Sequence, residues 1–297
     1  GIFAYLSSQW GQLDENSDEF MDMPMGSYAT FLGRLDYEGE KMESKLGVNM
    51  HFDSKLGGQV GYLKDKSPFG WNSDWETDQS KFGLQINGNH IDVFSKTGFF
   101  GKHPSQSLGI ITKVKYHMIN GFFGNRFFDG EEKRAYVNVI YDDIIMTSDH
   151  KIKTGLSYNY IDIYQSTSDS LTSNRIENVP GAFFEYTYTG SRFTSVIGTR
   201  YDYHLLFGQQ FVPRAHLKYK LTERTDIRFT SGKGWRIPNY IIDNLSLLAN
   251  SFTWIAPNTI RPEVSWNVGG SVFQEFDMKH TPATLTIDFY RTWFENQ

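Results

Sequence analysis

The run Asp14-Glu-Asn-Ser-Asp-Glu-Phe-Met-Asp22 sets oxygen donors at alternate positions. A hard cation needs such donors from a loop that wraps around it. Asp14, Asn16 and Asp18 take the first, third and fifth places, the Phe20 carbonyl the seventh and Asp22 the ninth. Glu19 stands where a helix-loop-helix calcium hand wants Gly, and Met25 stands where a bidentate Glu would close the site. The run is read as a looser structural Ca2+ loop, with a solvated acidic loop as the alternative. Met21, Met23 and Met25 present three thioethers, soft donors for Cu(I) or adaptable apolar side chains at a strand start. His51, His90, His103, His117, His150, His204, His216 and His280 are scattered, with no pair at the spacing of a zinc-protease helix.

Two segments mix aromatic and polar residues as amphipathic binding surfaces do. Residues 54–79 hold Trp71 and Trp75, and residues 237–261 hold Tyr240 and Trp254. These four, with His204 near a strand end, are the ligand-binding candidates, and loop-against-loop packing is the competing reading. An enzyme is not expected. Asp142 and Asp143 are sequence neighbours on opposite strand faces, which makes no acid/base pair. No Gly-rich phosphate loop, G-x-S-x-G or H-E-x-x-H occurs.

The elements that must carry these residues are strands. Of 297 residues, 16% are aromatic, and none is Cys. The aromatic content argues against disorder, and the lack of Cys excludes disulfides and thiolate metal sites. No stretch reaches the ~18 to 20 apolar residues of a membrane helix. A net charge of −5 argues against a nucleic-acid partner. No signal peptide is evident at the start of this sequence. Alternation is the dominant pattern: Phe211, Pro213, Ala215 and Leu217 fall on one face, and Val212, Arg214, His216 and Lys218 on the other.

Thirteen strands are read, at about 2–9, 27–38, 43–53, 81–100, 106–120, 132–146, 150–165, 180–189, 192–205, 211–221, 224–236, 262–276 and 281–295. Asn87-Gly88-Asn89 could make a hairpin turn, but accepting it would break the alternation of every later connection. Short turns near 39–41, 102–105, 147–149, 190–191, 222–223 and 277–280 alternate with longer segments at 10–26, 54–79, 121–131, 166–179, 206–210 and 237–261. Long strands with short turns on one side and long loops on the other describe an antiparallel transmembrane β-barrel. Aromatic pairs at Phe99-Phe100, Phe122-Phe123, Phe127-Phe128 and Phe183-Phe184 fit interfacial girdles.

Gly232-Lys-Gly-Trp-Arg-Ile-Pro-Asn239, followed at a loop's distance by Arg261-Pro-Glu-Val-Ser-Trp-Asn267, resembles a strand-end pattern of TonB-dependent outer-membrane receptors. Val93–Gly98, Val179–Tyr186 and Tyr201–Arg214 resemble receptors of this kind from Bacteroidetes-type bacteria. The resemblance covers nearly the whole chain. It implies a 22-stranded barrel around an N-terminal plug. Residues 1–297 would then be a partial barrel domain, lacking the plug, the TonB box and the last strands. It further implies a bacterial outer-membrane location, and uptake of a scarce small nutrient (siderophore, haem, cobalamin or other metal chelate) with TonB-derived energy. The implied partners are outer-membrane lipid, the small-molecule cargo and the TonB complex. A structural or adhesive barrel within an outer-membrane assembly is the alternative. An outer-membrane hydrolase, which would need a Ser–His or Asp–His constellation at the rim, stays open at this stage.

Overall fold

A computed structural model describes residues 1–297 except 64–76, 104, 170, 251, 253, 256, 258, 280 and 297. The alternating pattern forms one antiparallel sheet of thirteen strands in strict chain order. They are β1 Ile2–Gln9, β2 Met25–Glu38, β3 Met42–Gly58, β4 Gly83–Phe100, β5 Ser107–Phe123, β6 Arg126–Ile144 and β7 His150–Thr167. β8 Thr172–Thr189, β9 Phe193–His204, β10 Gly208–Thr222, β11 Thr225–Arg236, β12 Glu263–Met278 and β13 Thr281–Asn296 complete the order. β4 runs through Asn87-Gly88-Asn89 without a turn, and Gly88 pairs with Asp53.

The register sorts the side chains by face. Val48, Val93, Val114, Ala135 and Tyr160 lie directly opposite one another across five strands. Val114 and Leu156 are 61% and 67% exposed, although both are apolar. An apolar row left bare along a whole sheet face is suited to hydrocarbon. Tyr37, Phe99, Phe193, Tyr219 and Phe276 continue this face near the short turns, while Tyr158, Tyr201, Tyr203 and Phe211 continue it near the other end. They are the two aromatic girdles. The opposite face carries ion pairs between neighbouring strands, including Lys115–Glu132 at 2.9 Å and Lys218–Asp226 at 2.9 Å. Arg214 also pairs there with Glu185. Arg214, His216 and Lys218 therefore line the lumen side, as their alternation requires.

Three of the expected long segments are mostly strand. β5 and β6 are joined by a turn at Gly124-Asn125, where Gly124 takes φ +61°, a conformation that favours glycine. Residues 126–131 and 172–179 are paired in β6 and β8, and the connection after β9 shrinks to 205–207. The sequence misleads there for a physical reason. Beyond the bilayer both faces of a strand meet water, so polar residues stand at both parities and the alternation fades. Phe122-Phe123 and Phe127-Phe128 are not girdle residues as a set. Phe123 and Phe128 are buried, 6% and 1% exposed, on the lumen side.

Reversing the polarity of the outer row tests this sorting. Val114→Arg, near the middle of the band, should cost about 2 to 4 kcal/mol of folding stability in lipid vesicles. Urea unfolding followed by tryptophan fluorescence reads it, and an unchanged midpoint would mean that this face does not meet lipid.

Candidate functional site

The end of the sheet away from the short turns holds the densest set of buried polar groups. On β8, Arg175 and Glu177 point to the lumen and are 9% and 6% exposed. The Arg175 Nε donates to Glu177 Oε1 at 2.6 Å. Its Nη1 donates to the Pro238 carbonyl at 3.2 Å, and its Nη2 donates to Asn239 Oδ1. Glu177 Oε2 lies 3.3 Å from His204 Nε2. His204 ends β9 with no exposed surface. Its Nδ1 accepts the amides of Leu206 and Phe207 at 3.1 and 3.3 Å, so the ring proton belongs on Nε2, facing Glu177. A parallel chain lies beside it: Arg200 holds Asp202 at 2.7 Å and donates to Ser157 Oγ at 2.6 Å, and Trp235 Nε1 donates to Asp202 at 3.3 Å.

These groups anchor the segment between β11 and β12, and that segment folds inward. Arg175 grips it at Pro238-Asn239, three strands away from β11. Farther on, a kinked 3-10 stretch at Ile242–Ala249 lays its apolar side on β4 to β6. Ile241 and Leu248, 0% and 1% exposed, pack with Phe123 and Phe128. Leu84, Ile86 and Ile119 border this cluster and share the lumen parity. The segment thus crosses the lumen side from β11 past β8 to β4–β6. At its root Arg236 pairs with Glu263 at 2.5 Å and with Asp243 at 3.2 Å, which raises the pKa of the guanidinium, the Glu263 bond first.

Among the ligand-binding candidates, Tyr240 and Trp254 pack partly buried against the apolar seat. His204 is enclosed and pins the 205–207 turn through its Nδ1. Trp71 and Trp75 lie outside the described residues. Phe252 and Ile255 of the crossing segment stay 72% and 90% exposed.

The acidic run forms a turn capped by its own side chains. Asp14 accepts the Asp18 and Glu19 amides at 3.2 and 3.0 Å, Asp18 the Phe20 amide at 2.8 Å, and Asp22 the Glu15 amide at 2.6 Å. Among the described residues no three His, Asp or Glu side chains gather as a metal cage. Met21 and Met25 pack against Leu56, Tyr62 and Leu63, an apolar use of two of the three thioethers.

Sequence reasoning missed Arg175, Glu177 and the apolar seat because it placed 166–179 and 121–131 in loops. A signal existed. Leu84, Ile86, Ile119, Phe123 and Phe128 are apolar at the parity that elsewhere carries His90, Asp92, Lys113, Lys115, His117 and Glu132. A greasy patch on the wet face of a sheet marks where something docks.

Arg175→Ala leaves Glu177 without its partner and frees Pro238-Asn239. Removing one member of a buried ion pair costs about 3 kcal/mol. Amide exchange over 238–249 should then accelerate roughly a hundredfold, since about 1.4 kcal/mol is one decade. Unchanged protection there would show that Arg175 does not hold the segment.

No curated protein matches the chain by sequence. A ferric enterobactin receptor from Pseudomonas aeruginosa superposes with a TM-score of 0.65 at 11% identity, covering 97% of this chain and 45% of that one. The ferripyoverdine receptor of the outer membrane of Pseudomonas aeruginosa, bound to ferripyoverdine, gives 0.64 at 10% identity, covering 100% and 47%. The siderophore receptor PirA from Acinetobacter baumannii gives 0.58 at 10%, covering 100% and 52%. At such identities the likeness is one of fold, and the chain spans about half the length of these solved structures. The family model described as "TonB dependent receptor-like, beta-barrel" matches residues 7–297, so the chain belongs to the TonB-dependent receptor β-barrel family.

Proposed function

We propose that this chain is the barrel part of a receptor that imports a scarce small nutrient, of the siderophore or other metal-chelate class, with energy delivered through TonB. Barrels of this family sit in the bacterial outer membrane, and so does this one. The observation that carries the uptake reading is the inward fold of residues 238–249. A surface barrel that only adheres or assembles gains nothing from a segment turned away from its partners. A barrel that admits cargo needs a closure across its mouth. The segment seats Ile241 and Leu248 on the wall, is gripped by Arg175, and leaves Phe252 and Ile255 bare. Bare apolar side chains on a segment that also carries the Arg236–Asp243 pair at its root suit a ligand with an apolar or aromatic scaffold and charged groups. Solved structures that share this fold include receptors named for ferric enterobactin and ferripyoverdine, which supports the cargo class proposed. Tyr240 and Trp254 are the contacts proposed from the crossing segment, and Trp71 and Trp75 from the 54–79 segment. The reading assigns the chain no catalytic role.

The full-length receptor, purified from outer membranes, tests this. Titration with ferric catecholate and hydroxamate chelates, haem and cobalamin should produce saturable quenching of tryptophan fluorescence by one of them. Trp254→Phe should remove much of that signal, and deletion of 241–255 should weaken binding at least a hundredfold. No saturable binding by any of these classes would end the uptake reading. Binding that survives the deletion unchanged would move the cargo site away from this segment.

A further inference from the structure

The histidines that look scattered along the sequence are neighbours in the sheet. His51 on β3 lies directly opposite His90 on β4, and His90 directly opposite His117 on β5. All three are on the lumen side, on one row that continues to Thr30 on β2 and Glu132 on β6. The His90 and His117 ring centres are 5.6 Å apart at an interplanar angle of 70°. We propose that His90 and His117 form a two-imidazole clamp for a divalent first-row transition ion, open to the lumen at its remaining coordination positions.

Three observations carry this. The first is spacing. Two imidazoles on one ion, each bond about 2.0 to 2.1 Å, hold their ring centres roughly 4.5 to 6.5 Å apart. Direct cross-strand neighbours meet that distance without any change in register. The second is the state of His90. Its Nε2 is 2.6 Å from Asp92 Oδ2, and Asp92 is only 3% exposed. A buried carboxylate there accepts a hydrogen bond from Nε2–H and leaves the lone pair on Nδ1, the orientation that carboxylates impose on metal-binding histidines. Asn49 Nδ2 at 3.3 Å and Lys113 Nζ at 3.4 Å hold Asp92 in place. The third is His117. Among the described residues neither of its ring nitrogens has a hydrogen-bond partner, so one is free to ligate. His51 is engaged differently, with Thr30 Oγ1 at 3.0 Å from its Nδ1 and Asp53 3.5 Å from its Nε2.

No three ligating side chains converge among the described residues, so the clamp is a two-ligand site and not a closed cage. Water or donor atoms of a passing chelate would fill the other positions. Imidazole suits Cu2+, Ni2+ and Zn2+, and copper binds most tightly of these. The charge of the nearby cations is partly offset, because Lys113 is paired with Asp92 and Lys115 with Glu132 at 2.9 Å. The proposal needs only the barrel wall and is independent of which cargo the receptor imports.

The experiment uses the untagged full-length receptor in detergent and Cu2+ alone, with glycine as competing chelator. Calorimetry should find one ion per chain, and pulsed electron paramagnetic resonance should show imidazole nitrogens from two ligands. His117→Asn disturbs no hydrogen bond and should fold, and it should lower the affinity more than tenfold and remove one nitrogen signal. His90→Asn should do the same. Asp92→Asn should weaken binding about 10- to 100-fold while both nitrogens remain. His216→Asn, on a distant part of the wall, should change nothing. Retention of parental copper affinity by His117→Asn, no imidazole signal, or no binding against glycine would each overturn the clamp.

Discussion

In hydrocarbon a backbone amide or carbonyl has no water to turn to, so each must find a partner within the protein. This chain meets that demand with one unbroken antiparallel ladder. Every strand from β2 to β12 is bonded to its two neighbours in sequence. Once the ladder is fixed, each strand has one face for lipid and one for the lumen, and the rest follows from that division. Valine, leucine and tyrosine rows cover the outside. The inside can hold Lys115 with Glu132 and Lys218 with Asp226 because water and opposite charge, not lipid, surround them. The aromatic girdles lie where the outer face passes from hydrocarbon to water.

Above the bilayer the ladder continues but its two-sided contrast ends. That is where the structure departs from a plain tube. The lumen wall turns apolar at Leu84, Ile86, Ile119, Phe123 and Phe128, and a segment rooted between β11 and β12 covers this patch. The Arg175 guanidinium serves the same segment with directional bonds, at the cost of burying a charge. Glu177, paired with it at 2.6 Å, makes that burial tolerable. A nonpolar seat and a polar clasp act together on one stretch of chain, and the outer mouth is shaped by both.

Much of this was legible from residues alone. The thirteen strands, the single long β4 and the lumen-side placement of Arg214, His216 and Lys218 come directly from alternation and from connection lengths. The strand tops did not, because Arg126–Glu131 and Thr172–Val179 have polar groups at both parities and read as loop. His51, His90 and His117 carry no signal in linear spacing, since they are 39 and 27 positions apart. Only register brings them onto one row. In the acidic run, oxygen spacing says nothing about where the oxygens point, and only the structure shows Asp14, Asp18 and Asp22 accepting amides of their own turn. The match of residues 7–297 to the receptor family agrees with the motif pairing of Gly232–Asn239 and Arg261–Asn267, which is the part of the resemblance that the sequence alone made specific.

The inward fold of 238–249 is the central claim, and the absence of Cys makes it directly measurable. Cysteines would be placed at Phe128 and Leu248, two members of the same buried cluster, in the full-length receptor in outer membranes. Mild oxidation should link them rapidly and nearly completely, and a membrane-impermeant maleimide should label Leu248→Cys slowly before oxidation. No link, together with fast labelling at position 248, would show that the segment projects outward and would contradict the account.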